Sequence, residues 1–262
     1  MRGAFSPFWR YNNEPTHGEQ IAHIAREDLA VHGYRTDSGD CYLVYGEPES
    51  ACAELERIAT DAQRPVWMMV NTDTYEALSA KNREYLGPYW GWNWDFFYAD
   101  EPLNPVAHSD QVEIVPAGSP AFENSRADIE RILRVANPIT SALAQIDTLD
   151  WFLMRATDGE IAAVLGAEPM ANGGIHLAGL ATDPRYGGRG YGGGLIVGAI
   201  NTLLEHHDHI AFGVWSWNTS ALRLYRRLGI PHADSLIMAQ REPFQDMQAL
   251  LIEATCAQVE EE

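Results

Sequence analysis

The sequence predicts an α/β (α+β) protein, with an N-terminal α/β lobe over residues 1–105 and a second domain built on a mixed, mostly antiparallel sheet over residues 106–262. Three observations carry that expectation. Helical and strand-like periodicities alternate through the first hundred residues. A proline-bearing stretch of low periodicity, ADEPLNPVAHSD at 99–110, then interrupts them as a candidate linker. Two hairpin signals and a glycine-rich strand-to-helix turn come after it.

Taken in order, Ile21, Ile24, Ala25 and Leu29 fall at helical spacing and predict a helix over 18–31. Cys41 to Tyr45 reads as a strand, Ser50 to Asp61 as a helix, Val66 to Val70 as a strand after Pro65, and Asp73 to Arg83 as a single capped helix. Beyond the linker, Gln111 to Val115 predicts a strand, Arg126 to Val135 a helix, and Ile139 to Ile146 a second short helix. The Asp158-Gly159 and Asn172-Gly173 pairs are hairpin turn signals joining strands at Trp151–Arg155, Ile161–Ala167 and Ile175–Ala181. A helix from Gly192 to Glu205, a strand His209–Trp215, a helix Ser220–Leu228 and a strand Ser235–Ala239 complete the order. No internal repeat is evident, although the first half could be a decayed relative of the second.

The chain has 262 residues, of which 46% are apolar and 21% charged, enough to bury a sizeable core. Its formal net charge of -19 disfavours nucleic acid and anionic lipid as partners. Cys41, Cys52 and Cys256 are widely spaced and form no CxxC pair, so neither a disulfide framework nor a metal site is predicted, and a reducing cytoplasm is the expected compartment. No apolar run is long enough for a signal peptide or a membrane span.

In WGWNWDFFY, strand alternation puts Trp90, Trp92, Trp94, Phe96 and Tyr98 on one face. Such a wall serves either as a packing face or as one side of an acceptor cleft.

The stretch 183–196, DPRYGGRGYGGGLI, joins a predicted strand to a predicted helix. Glycine lets backbone amides approach a ligand, and the free amides of a first helical turn favour anions, so the turn is a candidate pyrophosphate cradle. Gly188, Gly190 and Gly193 also satisfy the dinucleotide pattern GxGxxG. That reading requires an acidic residue ending the next strand, where the chain has Val214, Trp215, Ser216, Trp217 and Asn218, and parallel units downstream that are missing.

Together, RYGGRGYGGGLI and NTSALRLYRRLGI (218–230) resemble the GNAT superfamily of acyl-coenzyme A dependent N-acyltransferases. Gly190 and Gly192 match the glycines of the family's first motif, Arg/Gln-x-x-Gly-x-Gly/Ala. Asn218, Tyr225, Leu228 and Gly229 match the second, with Ile230 in its Phe slot. Gly187 stands in the Arg/Gln slot. Arg185 with Gly188 and Gly190 satisfies the pattern two residues earlier, but Pro184, three residues before Gly187, favours the later register; there Arg185 is close enough to compensate.

The resemblance implies a GNAT fold, splayed between the family's fourth and fifth strands, here 175–181 and 209–215. It also implies transfer of an acetyl group from acetyl-CoA to an amine of a small molecule or peptide, with no metal and with a homodimer left open. Leu180, Ala181 and Thr182 would hold the pantetheine arm by their backbone, and Gly187, Gly188, Arg189, Gly190, Tyr191, Gly192 and Gly193 the pyrophosphate. Asn218 would fix the end of the fifth strand. Tyr225 occupies the position of the phenol that protonates the leaving thiolate, a suitable donor by its ordinary pKa. Counting back eleven residues from Gly187 reaches His176, where several members carry the general base; Glu168 and water are the rivals. The missing Arg/Gln also leaves open a non-catalytic coenzyme A binding or sensing module. The first lobe resembles nothing beyond the extra N-terminal lobes of some family members.

Overall fold

The structure, a computed structural model, describes residues 3–12, 19–60 and 64–241; Cys256 and the Glu260, Glu261, Glu262 tail lie outside the described residues. The chain divides into two compact units. The first takes the chain up to Tyr98 together with Gly213–Arg223 and the segment from Pro231, and the second takes Ala99–Phe212 with Leu224–Ile230. The first division between these units falls between Tyr98 and Ala99, and two later segments return to the first unit.

In the first unit, strands β1 (Glu19–Ala25), β2 (Leu29–Thr36) and β3 (Gly39–Gly46) form an antiparallel meander, and β4 (Trp67–Asn71) runs parallel to β3. Strand β11 (His232–Gln240) pairs antiparallel with both β4 and β5 (Tyr89–Ala99), giving the order β1-β2-β3-β4-β11-β5. Helices α2 (Pro48–Thr60) and α4 (Ala80–Leu86) contribute Leu55, Ile58 and Leu86, and the residue after α3 (Thr72–Ala77) contributes Leu78, to a core with Val31, Val44, Met68 and Val70. Helix α1 (Pro7–Asn12) contributes Phe8 and Trp9 to a separate cluster with Tyr45 and Leu236.

Three expectations are corrected here, two of them by β-bulges. The predicted helix over 18–31 is instead the β1–β2 hairpin. A register shift between Gln20 and Ala22 adds one residue to β1, so Ile21 and Ile24 both pack against the same core although they are three apart. A bulged strand thus imitates helical spacing.

The aromatic wall of β5 is also broken. The register jumps between Trp94↔Leu236 and Gly91↔Met238, and Trp92 sits at φ 51°. One inserted residue exchanges the faces beyond it. Trp90 accordingly packs with Tyr75 in the α2–α4 core, whereas Phe96 packs on Phe8 of α1. The single helix expected over 73–83 is two helices, because Leu78 turns extended into the core and Ser79 caps α4 by accepting from the Asn82 amide at 3.2 Å.

In the second unit, β6 (Val112–Val115), β7 (Asp150–Arg155), β8 (Ile161–Pro169) and β9 (Ile175–Thr182) are successively antiparallel, and β10 (Ile210–Trp215) starts parallel to β9. Helix α5 (Pro120–Ala136) begins earlier than predicted because the Ser119 hydroxyl accepts from the Phe122 amide at 3.1 Å and Pro120 suits the first turn. Its Phe122, Ile129, Ile132 and Leu133 are buried against Trp151, Leu153 and Val164. Each such side chain contributes about 1.5–3 kcal/mol by leaving water. The short helix expected at 139–146 is only a 3₁₀ turn, Ser141–Leu143.

The expected linker is ordered against α6 (Tyr191–Leu203). The Leu103 amide donates to the Asn201 side chain at 2.7 Å, and the Asn201 amide group returns a bond to the Leu103 carbonyl at 3.0 Å. A Cβ on Gly194 would meet the Ala107 carbonyl oxygen at 2.5 Å, and one on Gly198 would strike that of Ser109. These two glycines therefore admit backbone, not ligand.

Along the chain, one order of elements occurs twice. Three antiparallel strands, a helix, a strand parallel to the third, further helix and a last strand describe β1 to β5, and equally β7 to β11 with α7 (Thr219–Arg227). Asn71-Thr72 and Asn218-Thr219 fall at the same place in the two series, each opening the helical segment after the parallel strand. This repeat was hidden in the sequence because its first strand pair reads as helix.

Candidate active site

In the second unit, β9 carries a bulge. Ala178 pairs with Gly166 and Ala181 with Val164, so Gly179 and Leu180 stand opposite a single residue, with Gly179 at φ 70°. On its other side, β9 pairs with β10 only at Ile175↔Ile210 and His176↔Ala211. The strand edge through Leu180, Ala181 and Thr182 is thereby left with backbone groups to offer a ligand, as the splayed fold requires. Asn137 fixes the bulge by donating its side-chain amide to the Leu180 carbonyl at 3.3 Å.

The turn from β9 to α6 is anchored by Asp183, which is 1% exposed. Its carboxylate accepts from the Arg185 amide at 2.9 Å, from the Arg185 guanidinium at 2.8 Å and from Arg131 at 2.8 Å. The Arg185 bonds, joined by those of Arg131, outweigh burial and hold this carboxyl well below the usual carboxylate range. Arg185, expected to compensate for Gly187, is thus engaged within the turn.

Gly190 caps α6 in the left-handed conformation at φ 88°, which a side chain tolerates poorly. Gly188, also at positive φ, faces open space, and Gly187 meets nothing nearer than the Pro184 carbonyl at 3.3 Å. The amides of Gly188, Arg189 and Gly190 have no backbone acceptor among the described residues, and those of Tyr191, Gly192 and Gly193 are the unsatisfied donors of a first helical turn. Tyr191 is 6% exposed, its ring stacked on His108 at 4.7 Å, so it offers its amide alone. Arg189 is exposed, its guanidinium 5.6 Å from the Tyr186 ring centre. A hypothetical Cβ at Gly192 would stand 2.6 Å from the Thr182 hydroxyl, so bulged strand and cradle meet there. A row of open, donor-only positions at the positive end of a helix fits a diphosphate.

His176 and Glu168, treated as rivals in the sequence, are direct partners across the β8–β9 ladder. Nδ1 lies 3.2 Å from Oε1, both side chains are about one-third exposed, and the bond from His176 draws the Glu168 carboxyl below its ordinary value. Tyr225 is 5% exposed, its ring edge-on to Phe212 at 4.9 Å, and burial pushes its phenol far above the usual value. Asn218 lies in the first unit, where its side-chain oxygen accepts from the Ala221 amide at 3.1 Å and caps α7. Among the described residues no group of three or more His, Cys, Asp or Glu could hold a metal, and no helix is long and apolar enough to cross a membrane. Sequence reasoning missed Asp183, Asn137 and His108. Only the Asp183-Pro184 pair, a helix-start signal, could have exposed one of them.

Residues 124–230 match the model of the acetyltransferase (GNAT) family and form a GNAT acetyltransferase domain. No curated protein matches the chain. Several solved structures share the fold. An acetyltransferase from the GNAT family of Colwellia psychrerythraea is 13% identical with a TM-score of 0.54, covering 82% of this chain and 86% of its own. A functionally unknown conserved protein of Staphylococcus epidermidis is 12% identical with a TM-score of 0.51, covering 91% and 99%. A GCN5-related N-acetyltransferase of Sphaerobacter thermophilus is 14% identical with a TM-score of 0.50, covering 89% and 84%. Family and fold together support acyl transfer as the general function.

Proposed function

We propose that this protein is a cytoplasmic N-acetyltransferase that moves an acetyl group from acetyl-CoA to an amine of a small molecule or peptide. The observation that carries the reading is the run of unpaired amides at 188–193, opening α6 directly after a bulged strand that is unzipped from its neighbour.

Acetyl-CoA, when bound, supplies the acyl group as a thioester. The amides of Gly188 to Gly193 hold its diphosphate, with Arg189 adding a positive charge, while Gly187, expected among them, donates its own amide to the Pro184 carbonyl at 3.2 Å; the β9 edge at Leu180, Ala181 and Thr182 binds the pantetheine arm. Asn218 has spent its side-chain oxygen on the α7 cap and offers its amide group as a donor. Glu168 fixes His176 as the tautomer protonated at Nδ1, which presents Nε2 as the base that takes the amine proton. The Tyr225 hydroxyl, kept neutral by burial, gives its proton to the departing sulfur. Residues 106–262 are the acyl-transferring domain on this reading. Residues 1–105 are a degenerate copy of it, in which Glu47 alone separates β3 from α2 where the second copy has the cradle.

Calorimetric titration with acetyl-CoA, followed by a free-thiol assay over a panel of amines, tests the proposal. Micromolar or tighter binding with amine-dependent thiol release is the expected result. Binding without release, which the bare Gly187 and the buried Tyr225 favour, would make the protein a coenzyme A sensing module. No binding would overturn both.

A further inference from the structure

Within the second unit, the stretch before β6 doubles back along α6. Leu103 exchanges bonds with Asn201 near the end of that helix, His108 stacks on Tyr191 at its start, and Ser109 and Val112 are back against Gly198. The reversal is fixed by its own bonds. The Ser109 amide and hydroxyl both donate to the Val106 carbonyl, at 3.1 and 2.8 Å, and the Gln111 amide donates to the His108 carbonyl at 3.0 Å. His108 is thereby placed at a tip beside the opening of α6, where no step above uses it.

His108 adopts φ 68° and is one of two non-glycine residues at positive φ among the described residues. Its half-buried ring makes an angle of 30° with that of Tyr191, 4.7 Å between centres. Cδ2 lies 3.8 Å from the place a Cβ on Gly190 would take, and Nδ1 lies 3.3 Å from the Gln111 Oε1. A carbonyl oxygen only accepts, so Nδ1 carries the hydrogen of that bond. Nε2, bonded to Cδ2, is the nitrogen left for a ligand.

We infer that His108 binds the diphosphate of the coenzyme through Nε2, as an imidazolium that donates from both nitrogens. The inference rests on the coenzyme-binding reading. A neutral ring would turn the Nε2 lone pair toward a phosphate oxygen, so the anion selects the charged form. Positive charge is what the cradle is short of. Main-chain amides carry only partial charges, Arg185 is engaged by Asp183, and the whole chain has a net charge of -19. A charge-assisted bond from an imidazolium offsets that repulsion. Packing on Tyr191, by contrast, needs the ring but neither nitrogen, and this difference separates the two roles.

The test is calorimetric titration of the full chain with acetyl-CoA and with its 3′-dephospho form, which keeps the diphosphate. His108→Phe retains a ring to stack on Tyr191 and removes both nitrogens. His108→Asn suits the left-handed backbone and removes the ring. Each variant, its folding checked by the urea midpoint, should bind both ligands about tenfold or more weakly, with equal penalties. Parent-like affinity in folded His108→Phe shows that the ring only packs, and overturns the inference. A penalty on acetyl-CoA that the dephospho form escapes moves His108 to the 3′-phosphate and overturns it equally. No binding by the parent removes the coenzyme reading and this inference together, whereas a parent that binds and variants that match it remove the inference alone.

Discussion

Glu168 and His176 face each other across the β8–β9 ladder with Oε1 and Nδ1 3.2 Å apart, so in the proposed function they act as a pair rather than as rivals. Paired residues in register cannot drift apart without breaking the sheet. His176→Ala should lower kcat by about two to four orders of magnitude. Glu168→Gln keeps the shape but accepts a weaker bond, and should lower kcat about tenfold. Both variants should bind acetyl-CoA as the parent does. A pH–rate profile of His176→Ala that overlays the parent's would remove the base assignment.

Tyr225 poses a separate question, because a buried phenol edge-on to Phe212 is also a good core residue. Tyr225→Phe preserves the ring packing and removes only the hydroxyl. Turnover should fall by about tenfold or more with coenzyme affinity nearly unchanged. If turnover is retained while the urea midpoint shifts, the hydroxyl is structural.

The parts of the proposed site were legible in unequal measure. The strand-to-helix turn could be read because its signal is local: an Asp-Pro start, glycines at the helix opening, and a strand before them. Tyr225 and Asn218 could be singled out for the same reason, lying within one short motif, and their roles belong to the proposal. The Glu168–His176 pair was not, since register between two strands depends on the bulge at Gly179, which leaves no mark in either strand's alternation. In the fold, most of the elements after residue 110 were found, whereas the first strand pair was read as a helix. The bulge at Ile21 makes a three-residue spacing look helical, and the one at Trp92 splits an apparently perfect aromatic alternation. Periodicity assumes a strand without insertions, and these two misreadings share that cause.

Glycines of the α6 run divide into two kinds with different expected phenotypes. Gly190→Ala places a Cβ at φ 88° in the cradle, at a cost of about 1–2 kcal/mol in backbone strain. It should weaken coenzyme binding severalfold in calorimetry. Gly194→Ala drives a methyl towards the Ala107 carbonyl oxygen and the His108 Cβ, 2.5 and 2.9 Å from the ideal position. Overpacking of that sort costs about 1–3 kcal/mol, so its urea midpoint should drop. Comparable loss of coenzyme affinity in a fully folded Gly194→Ala would contradict this division.

Asp95 supplies a test of acid stability in the first unit. Burial pushes its carboxyl up, but hydrogen bonds from His232, Ser216 and Ser235 outweigh that and hold it at about 2, against an ordinary 3.8. His232 Nε2 is 2.9 Å from Oδ1, and the Ser235 hydroxyl donates to the same oxygen at 2.8 Å. Because the folded-state value is depressed, the unfolded chain binds this proton first as the solution acidifies. The stabilisation, on the order of 2 kcal/mol, is therefore complete above about pH 4 and lost as the pH falls from there towards 2. Asp95→Asn cannot lose a proton in either state, so unfolding free energies measured in urea should decline less steeply between pH 4 and 2 for the variant than for the parent. Parallel curves over that interval would show that the three donors do not stabilise the ionised form.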